Sequence, residues 1–121
     1  KDNYQPAYPK RCLHEVVFSC QKQKERGSSA LDIAKRLIDF GIHPPTMYFP
    51  LIVKEALMVE PTETESKDTL DYFIKAMITI DKEIDEYLER NKTSPHSTPV
   101  KRVDEVKAAR HPDLKWENPG D

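Results

Sequence analysis

Four histidines and two cysteines are the side chains of this sequence that metal chemistry would use first. The histidines are separated by about thirty, fifty and fifteen residues, and none belongs to a His-x-x-x-His pair; they are His14, His43, His96 and His111. Cys12 and Cys20 form no Cys-x-x-Cys pair either. Because metal ligands must converge, and close spacing on one element is the usual sign of that, the sequence predicts no metal site.

Covalent and acid–base catalysis have equally little support. Neither cysteine has an activating motif around it, no Gly-x-Ser-x-Gly turn is present, and three glycines are too few for a glycine-rich phosphate loop. Glu60, Glu63 and Glu65 resemble paired carboxylates, but the last two are expected in the first turn of a helix, where the macrodipole stabilises anions. The chain alone is predicted to lack a complete active site.

The segment His43-Pro44-Pro45-Thr46 combines a ring and a hydroxyl with two prolines. Proline fixes the backbone, so these side chains would lose little entropy on meeting a ligand. A rigid connector explains the same residues equally well, and both interpretations stay open at this point.

The elements that position this segment follow from periodicity. Leu13–Ser19 is rich in β-branched and aromatic residues and predicts a buried strand. Ser29 and Asp32 form a capping box for a helix that Gly41 ends, after which three prolines predict a rigid loop entering a short strand. Lys22–Arg26 is expected to be a solvated loop.

A second strand is predicted at Ala56–Glu60, and Thr62 with Glu65 predicts a capping box directly after it. The following helix carries apolar residues at spacings of three and four and should run to about Glu89. A short helix is expected near 103–110. The order predicts an α+β (α/β sandwich) unit, a small sheet with helices on one face.

The whole chain, 1–121, is predicted to form a single domain with an ordered core of about 11–90 and a C-terminal extension, 91–121. The polar, proline-bearing ends suggest irregular arms. A formal net charge of −2 without a run of basic residues argues against nucleic acid as a partner, and no apolar stretch is long enough to cross a membrane. Two isolated cysteines favour a reducing, cytoplasmic setting.

A long stretch, Ser29 to Phe73, carries a family resemblance. It includes Ile42-His43-Pro44-Pro45-Thr46-Met47-Tyr48-Phe49-Pro50-Leu51-Ile52-Val53 and Glu60-Pro61-Thr62-Glu63-Thr64-Glu65-Ser66-Lys67. The likeness continues into Arg11–Glu15, Pro95–Val100 and Val103–Arg110. The sequence over these stretches resembles the C-terminal domain of glycine cleavage system P-proteins. It most resembles the separate second subunit of the two-subunit bacterial type.

The resemblance implies an aspartate-aminotransferase-like (fold type I) parent enzyme, with a large cofactor domain and a small C-terminal domain that closes over it. That enzyme, glycine dehydrogenase (decarboxylating), uses pyridoxal phosphate as an electron sink and passes an aminomethyl group to the lipoyl arm of H-protein. The implied partners are the cofactor-bearing domain of the same enzyme, a partner P-protein subunit and H-protein.

This sequence departs from a whole enzyme because the family's Schiff-base lysine follows a histidine, and none of the thirteen lysines here does. We therefore expect no catalytic residue in this chain, no bound pyridoxal phosphate and no activity in isolation. By matched position, His43, Thr46, His96 and Ser97 are expected to face the cofactor domain in a supporting role.

Two further expectations follow. A domain of this kind should expose apolar surface, either on the strand face with Val16 and Phe18 or around Tyr48 and Phe49. The competing hypothesis is a stand-alone interaction or regulatory module of the same fold.

Overall fold

A four-stranded antiparallel sheet forms the base of the fold in the computed structural model, which describes residues 3–116. The sheet order is β1-β2-β4-β3. In chain order the elements are β1 (Gln5–Pro6), β2 (Val16–Ser19), α1 (Gln21–Glu25), α2 (Ala30–Asp39), β3 (Thr46–Met47), β4 (Ala56–Val59), α3 (Lys67–Glu86), α4 (Leu88–Lys92) and α5 (Glu105–Arg110). Over the described residues, no helix is both long and apolar enough to cross a membrane.

The register of the central strand pair decides which side chains meet the helices. Phe18 of β2 lies opposite Leu57 of β4, and Leu57 lies opposite Met47 of β3, so these three share one face. They join one hydrophobic cluster with buried side chains of α2 and α3, which are Ala30, Ile33, Ala34, Leu37, Ala76, Met77, Ile80 and Ile84. The predicted α+β class, with helices on one face of a small sheet, is confirmed in this form.

Helix α2 begins and ends as its sequence predicts. The Ser29 hydroxyl accepts a hydrogen bond from the Asp32 N–H, and the Asp32 carboxylate accepts one from the Ser29 N–H. Gly41 has a φ of +70°, and the N–H of Ile42 donates to the carbonyl of Leu37 at 3.1 Å. This left-handed turn satisfies the last carbonyls of the helix.

Both predicted strands are too long at one end. β2 starts at Val16, not Leu13, and Leu13 is 99% exposed. The partner strand explains this, because Val16 pairs with Val59, β4 stops there, and Pro61 has no N–H with which to extend the ladder.

The start predicted for the long helix is wrong. Thr62–Glu65 forms a turn closed by the Glu65 N–H on the Thr62 carbonyl, and Ser66 is the N-cap, accepting from the Thr69 N–H at 3.1 Å. A helix begun at Thr62 would gain a turn of polar residues with nothing to bury. Glu63 and Glu65 are therefore exposed turn residues, not helix-start anions.

The helix also ends earlier than Glu89. α3 stops at Glu86, Tyr87 leaves the helical region with a φ of −144°, and α4 follows. The break lets Leu88 pack over Gly27 and lets the amide oxygen of fully buried Asn91 accept from the Ser28 hydroxyl at 3.0 Å. Tertiary packing overrides the helical pattern here.

The predicted loop Lys22–Arg26 is also wrong, because it is mostly helix α1. Gln23 is fully buried and its amide donates to Asp81 at 2.8 Å, while the Arg26 guanidinium pairs with Asp81 and Asp85. Lys22, Lys24 and Glu25 are exposed, as the sequence suggested. Gln23 and Arg26 instead contact the buried carboxylate of Asp81 on α3.

Buried side chains also lie outside the predicted core, 11–90. Tyr4 is 6% exposed and its hydroxyl donates to the Met77 carbonyl, so the N-terminal arm contributes to the core instead of remaining irregular. Ser94 is fully buried. The predicted helix near 103–110 is confirmed as α5, and residues 1–2 and 117–121 lie outside the described part of the chain.

Candidate functional site

A cleft of about 380 Å³ lies where the end of α2 meets α4 and the segment that follows α4. It is lined by Arg36, Asp39, Phe40, Arg90, His96 and Ser97. Two of the four residues selected from the sequence therefore line one cleft. Exposed His43, in the loop between α2 and β3, and exposed Thr46, the first residue of β3, are not among its lining residues.

Asp39 holds the His96–Ser97 segment in place. Its Oδ1 accepts the N–H groups of His96 and Ser97 at 2.5 and 2.7 Å and the Ser97 hydroxyl at 2.9 Å. Burial alone would raise the pKa of Asp39, but the Ser97 and His96 N–H groups, the Ser97 hydroxyl and Arg36 together hold that pKa well below its usual value. The carboxylate is thus charged and hydrogen-bonded within the chain at neutral pH.

Arg36 forms the floor of the cleft. Its guanidinium donates to both carboxylate oxygens of Glu83, at 2.8 and 2.9 Å, and to Asp39 at 2.8 Å. Its Cζ lies 5.0 Å from the Phe40 ring centroid. Because its side chain is 5% exposed and these bonds are all directed at groups of this chain, Arg36 orders the cleft and does not offer itself to a ligand.

Arg90 differs from Arg36 in exposure. Its side chain is 58% exposed, and its Nη1 lies 3.7 Å from Glu83, a looser contact than Arg36 makes. Beside it, His96 Nε2 lies 3.0 Å from the Arg90 carbonyl oxygen, which fixes the imidazole ring. The open side of the cleft thus presents one guanidinium, one imidazole and one hydroxyl.

Sequence reasoning missed Arg36, Asp39 and Arg90. A signal for Arg36 was present, because it lies on the apolar stripe of α2 between Ile33 and Phe40. A charged residue at such a position is buried only if partners are supplied, and here Glu83 of the distant helix α3 supplies them.

The cleft does not fit pyridoxal phosphate by itself. That cofactor is held in its enzymes through a lysine amine, and no lysine is among the residues lining this cleft.

A nucleophile of another kind, Cys20, is fully buried, and burial, with Glu55 and Asp81, raises the pKa of its thiol to about 12. Within 3–116 no three His, Cys, Asp or Glu side chains converge in a way that would hold a metal ion.

A second surface of interest is apolar. Tyr48, Phe49, Leu51 and Ile52 are 43%, 53%, 87% and 84% exposed. Of the two predicted exposed regions, the one around Tyr48 and Phe49 is found, whereas Phe18 packs against the core. We name these four side chains the apolar tip.

Known proteins resemble the chain closely. Residues 2–104 match the family described as glycine dehydrogenase, C-terminal domain. A protein named probable glycine dehydrogenase (decarboxylating) subunit 2 from Staphylococcus saprophyticus is 57% identical over 118 residues, covering 98% of this chain and 24% of that protein. The proteins of the same name from Bacillus velezensis and Caldanaerobacter subterraneus are 59% identical over 114 residues and 55% identical over 116 residues.

The coverage is uneven between the two sides of these comparisons. The match with the Bacillus protein covers 94% of this chain but 23% of that protein. The match with the Caldanaerobacter protein covers 96% of this chain but 24% of that protein. The chain thus spans about a quarter of the length of the curated relatives it matches. Since the family match includes β1, the sheet, the helices α1 to α4 and the cleft, this chain belongs to the family of glycine dehydrogenase C-terminal domains.

Proposed function

We propose that this chain is the C-terminal domain of a glycine dehydrogenase (decarboxylating) of the two-subunit type, a P-protein of the glycine cleavage system. The parent enzyme would decarboxylate glycine with pyridoxal phosphate and transfer the aminomethyl group to the lipoyl group of H-protein. The observation that carries the proposal is 57% identity across 98% of the chain to a relative of that name.

Within that enzyme the chain would act as the small, closing domain of a fold type I pyridoxal-phosphate protein. Bound cofactor would supply the electron sink, and the lysine that holds it would belong to the large domain. The chain's own part is positional: Asp39 fixes the backbone of His96 and Ser97, and prolines stiffen the loop that carries His43 and leads into Thr46 of β3. These four residues are proposed to face the cofactor domain.

The same proposal names the partners. They are the cofactor-bearing domain, the partner P-protein subunit and the lipoyl arm of H-protein. The cytoplasm is the proposed location, since Cys12 and Cys20 are free thiols, with Cys12 exposed.

Carboxyl exchange between glycine and bicarbonate, measured on the full-length protein together with its partner subunit and H-protein, tests the proposed role. His43→Ala, Thr46→Ala and Ser97→Ala should each reduce exchange, whereas His14→Ala, at a side chain 78% exposed and outside the cleft, should not. Equal exchange in all four variants and the unaltered protein would remove the proposed supporting role.

The isolated chain provides the second test. It should show no cofactor absorbance band that borohydride abolishes, because an aldimine requires the missing lysine. The rival hypothesis, a stand-alone module, predicts that the coding sequence has its own start and no reading frame continuing upstream. An upstream frame encoding a His-Lys motif would decide for the enzyme domain.

A further inference from the structure

The segment that carries His96 and Ser97 depends on side chains for its position. In the described part of the chain, no N–H or C=O group of residues 95–102 takes part in a backbone–backbone hydrogen bond. Two prolines restrict the backbone of the segment, but they carry no N–H to donate. Its place on the fold is therefore decided by the side-chain contacts that reach it. We name residues 94–102 the strap.

The first residue of the strap is fixed on helix α4. Ser94 is fully buried, and its hydroxyl donates to the Arg90 carbonyl at 2.7 Å. Its N–H donates to the Asn91 carbonyl at 3.3 Å. From this fixed point the chain runs past His96 and Ser97 and reaches Arg102.

Arg102 closes the strap. Its Nε donates to the carbonyl of Ser94, the residue at which the strap begins, and its Nη2 donates to the Asn91 carbonyl at 3.3 Å. The same Nη2 donates to Asp32 Oδ1 at 2.8 Å. One guanidinium thus joins the two ends of the loop and attaches them to α2. Compact loops whose ends meet in this way are frequently functional.

Helix α2 supplies acceptors at both places where the strap is held. Asp39, in the last turn of α2, accepts the N–H groups of His96 and Ser97, and Asp32, in the first turn, accepts Arg102. Asp32 uses Oδ2 for the capping box and Oδ1 for Arg102. The strap therefore runs back along α2 from its end to its start, and a change at Arg102 frees one of the two attachments.

The contacts of Arg102 suit positioning better than ligand binding. Two of its nitrogens serve three acceptors, which come from α2, α4 and the strap itself. The Arg102 side chain is 29% exposed and that of Asp32 is 14% exposed. Because a guanidinium is planar and rigid, bonds from two nitrogens fix its orientation as well as its distance, which a lysine amine could not do.

We infer that Arg102 is a positioning residue for His96 and Ser97, which it holds in place by closing the strap against α2. The inference rests on the proposed function, in which these two residues support the reaction. Arg102 acts through the strap and needs no contact with cofactor or substrate. The segment after α4 is thus part of the working cleft.

Hydrogen–deuterium exchange of backbone amides in the full-length protein tests this positioning. The His96 and Ser97 N–H groups are bonded to Asp39, so their exchange reports whether the strap stays in place. Arg102→Leu should speed the exchange of both amides by on the order of tenfold, because losing the closing contact makes local opening easier. Mass spectrometry with electron-transfer fragmentation measures both amides, and the amides of β4 should exchange as before.

Arg110→Leu is the matched control, because Arg110 is an exposed arginine of α5 outside the strap. This change should leave the exchange of both amides unaltered. Unaltered exchange in Arg102→Leu would overturn the inference. So would an equal acceleration in β4, because that would show a general loss of stability.

Carboxyl exchange, measured with the partner subunit and H-protein present, provides a readout that a purely structural role would not produce. Arg102→Leu should lower the activity of the unaltered protein but cause no further loss in a protein that already carries His96→Ala and Ser97→Ala, because the changes remove one shared function. A further loss of the same factor in that background would overturn the inference. Faster amide exchange with full activity in every variant would support the positioning by Arg102 and overturn the supporting role proposed for His96 and Ser97.

Discussion

Replacing Arg36 with Met tests the arrangement beneath the cleft. The guanidinium is 5% exposed and makes three charge-assisted hydrogen bonds, two to Glu83 and one to Asp39. Without it, Asp39 keeps the three donors from His96 and Ser97, but Glu83, 12% exposed, keeps only Arg90 at 3.7 Å. Removing one partner of a buried pair costs about 3–5 kcal/mol, and the contacts that remain put the loss of unfolding free energy for Arg36→Met at the lower end, about 3 kcal/mol.

Urea unfolding of the chain, followed by circular dichroism at a fixed pH near neutrality, measures this loss. Lys67→Met is the matched control, because Lys67 pairs with Asp71 on the surface at 84% exposure and such pairs contribute at most about 1 kcal/mol. The double variant Arg36→Met/Glu83→Met should recover about 2 kcal/mol, since it removes the orphaned carboxylate. A loss for Arg36→Met no larger than that for Lys67→Met would refute the reasoning.

Three other outcomes are expected. The pKa of Asp39 is low in the folded state, so its contribution to the unfolding free energy is present above the unfolded pKa of about 3.9 and is lost as the pH falls through the folded pKa. Asp39→Asn should flatten this pH dependence in urea titrations at acid pH. Burial raises the pKa of Cys20 to about 12, so a disulfide reagent near pH 8 should modify Cys12 rapidly and Cys20 only on unfolding, and two equally fast thiols would contradict this. Ser66→Ala should cost about 0.5–2 kcal/mol as the loss of a true N-cap, whereas Thr62→Ala should cost less than about 0.5 kcal/mol by the same denaturation assay; the reverse order would restore the earlier helix start.

Local sequence signals were sufficient where contacts between residues close together in the sequence decide the structure. The capping box of Ser29 and Asp32 and the left-handed Gly41 are satisfied within a few residues, so α2 could be predicted at both ends. The start of β4 could be predicted in the same way from its uninterrupted apolar residues, whereas its end, Val59, comes one residue before the predicted Glu60.

Such local signals could not predict contacts between residues far apart in the sequence. Thr62 and Ser66 each begin an acceptable cap, and the choice between them depends on where α3 first finds apolar surface to bury. Gln23 and Arg26 look solvated until Asp81, fifty-five or more residues away, is brought beside them. The candidate cleft divides in the same way: His96 and Ser97 were selected through the family resemblance, but Arg36 and Asp39, which hold them in place, required the packing of α2.

Tyr4 has a consequence for how small this folding unit can be made. Its ring meets Phe18 edge-on at a centroid distance of 6.2 Å, and its hydroxyl reaches the backbone of α3. A fragment starting at residue 11 would lose this side chain and would uncover Phe18 and Met77 at the edge of the core. Residues 3–6 thus close the core against water, and a minimal version of the domain has to include them.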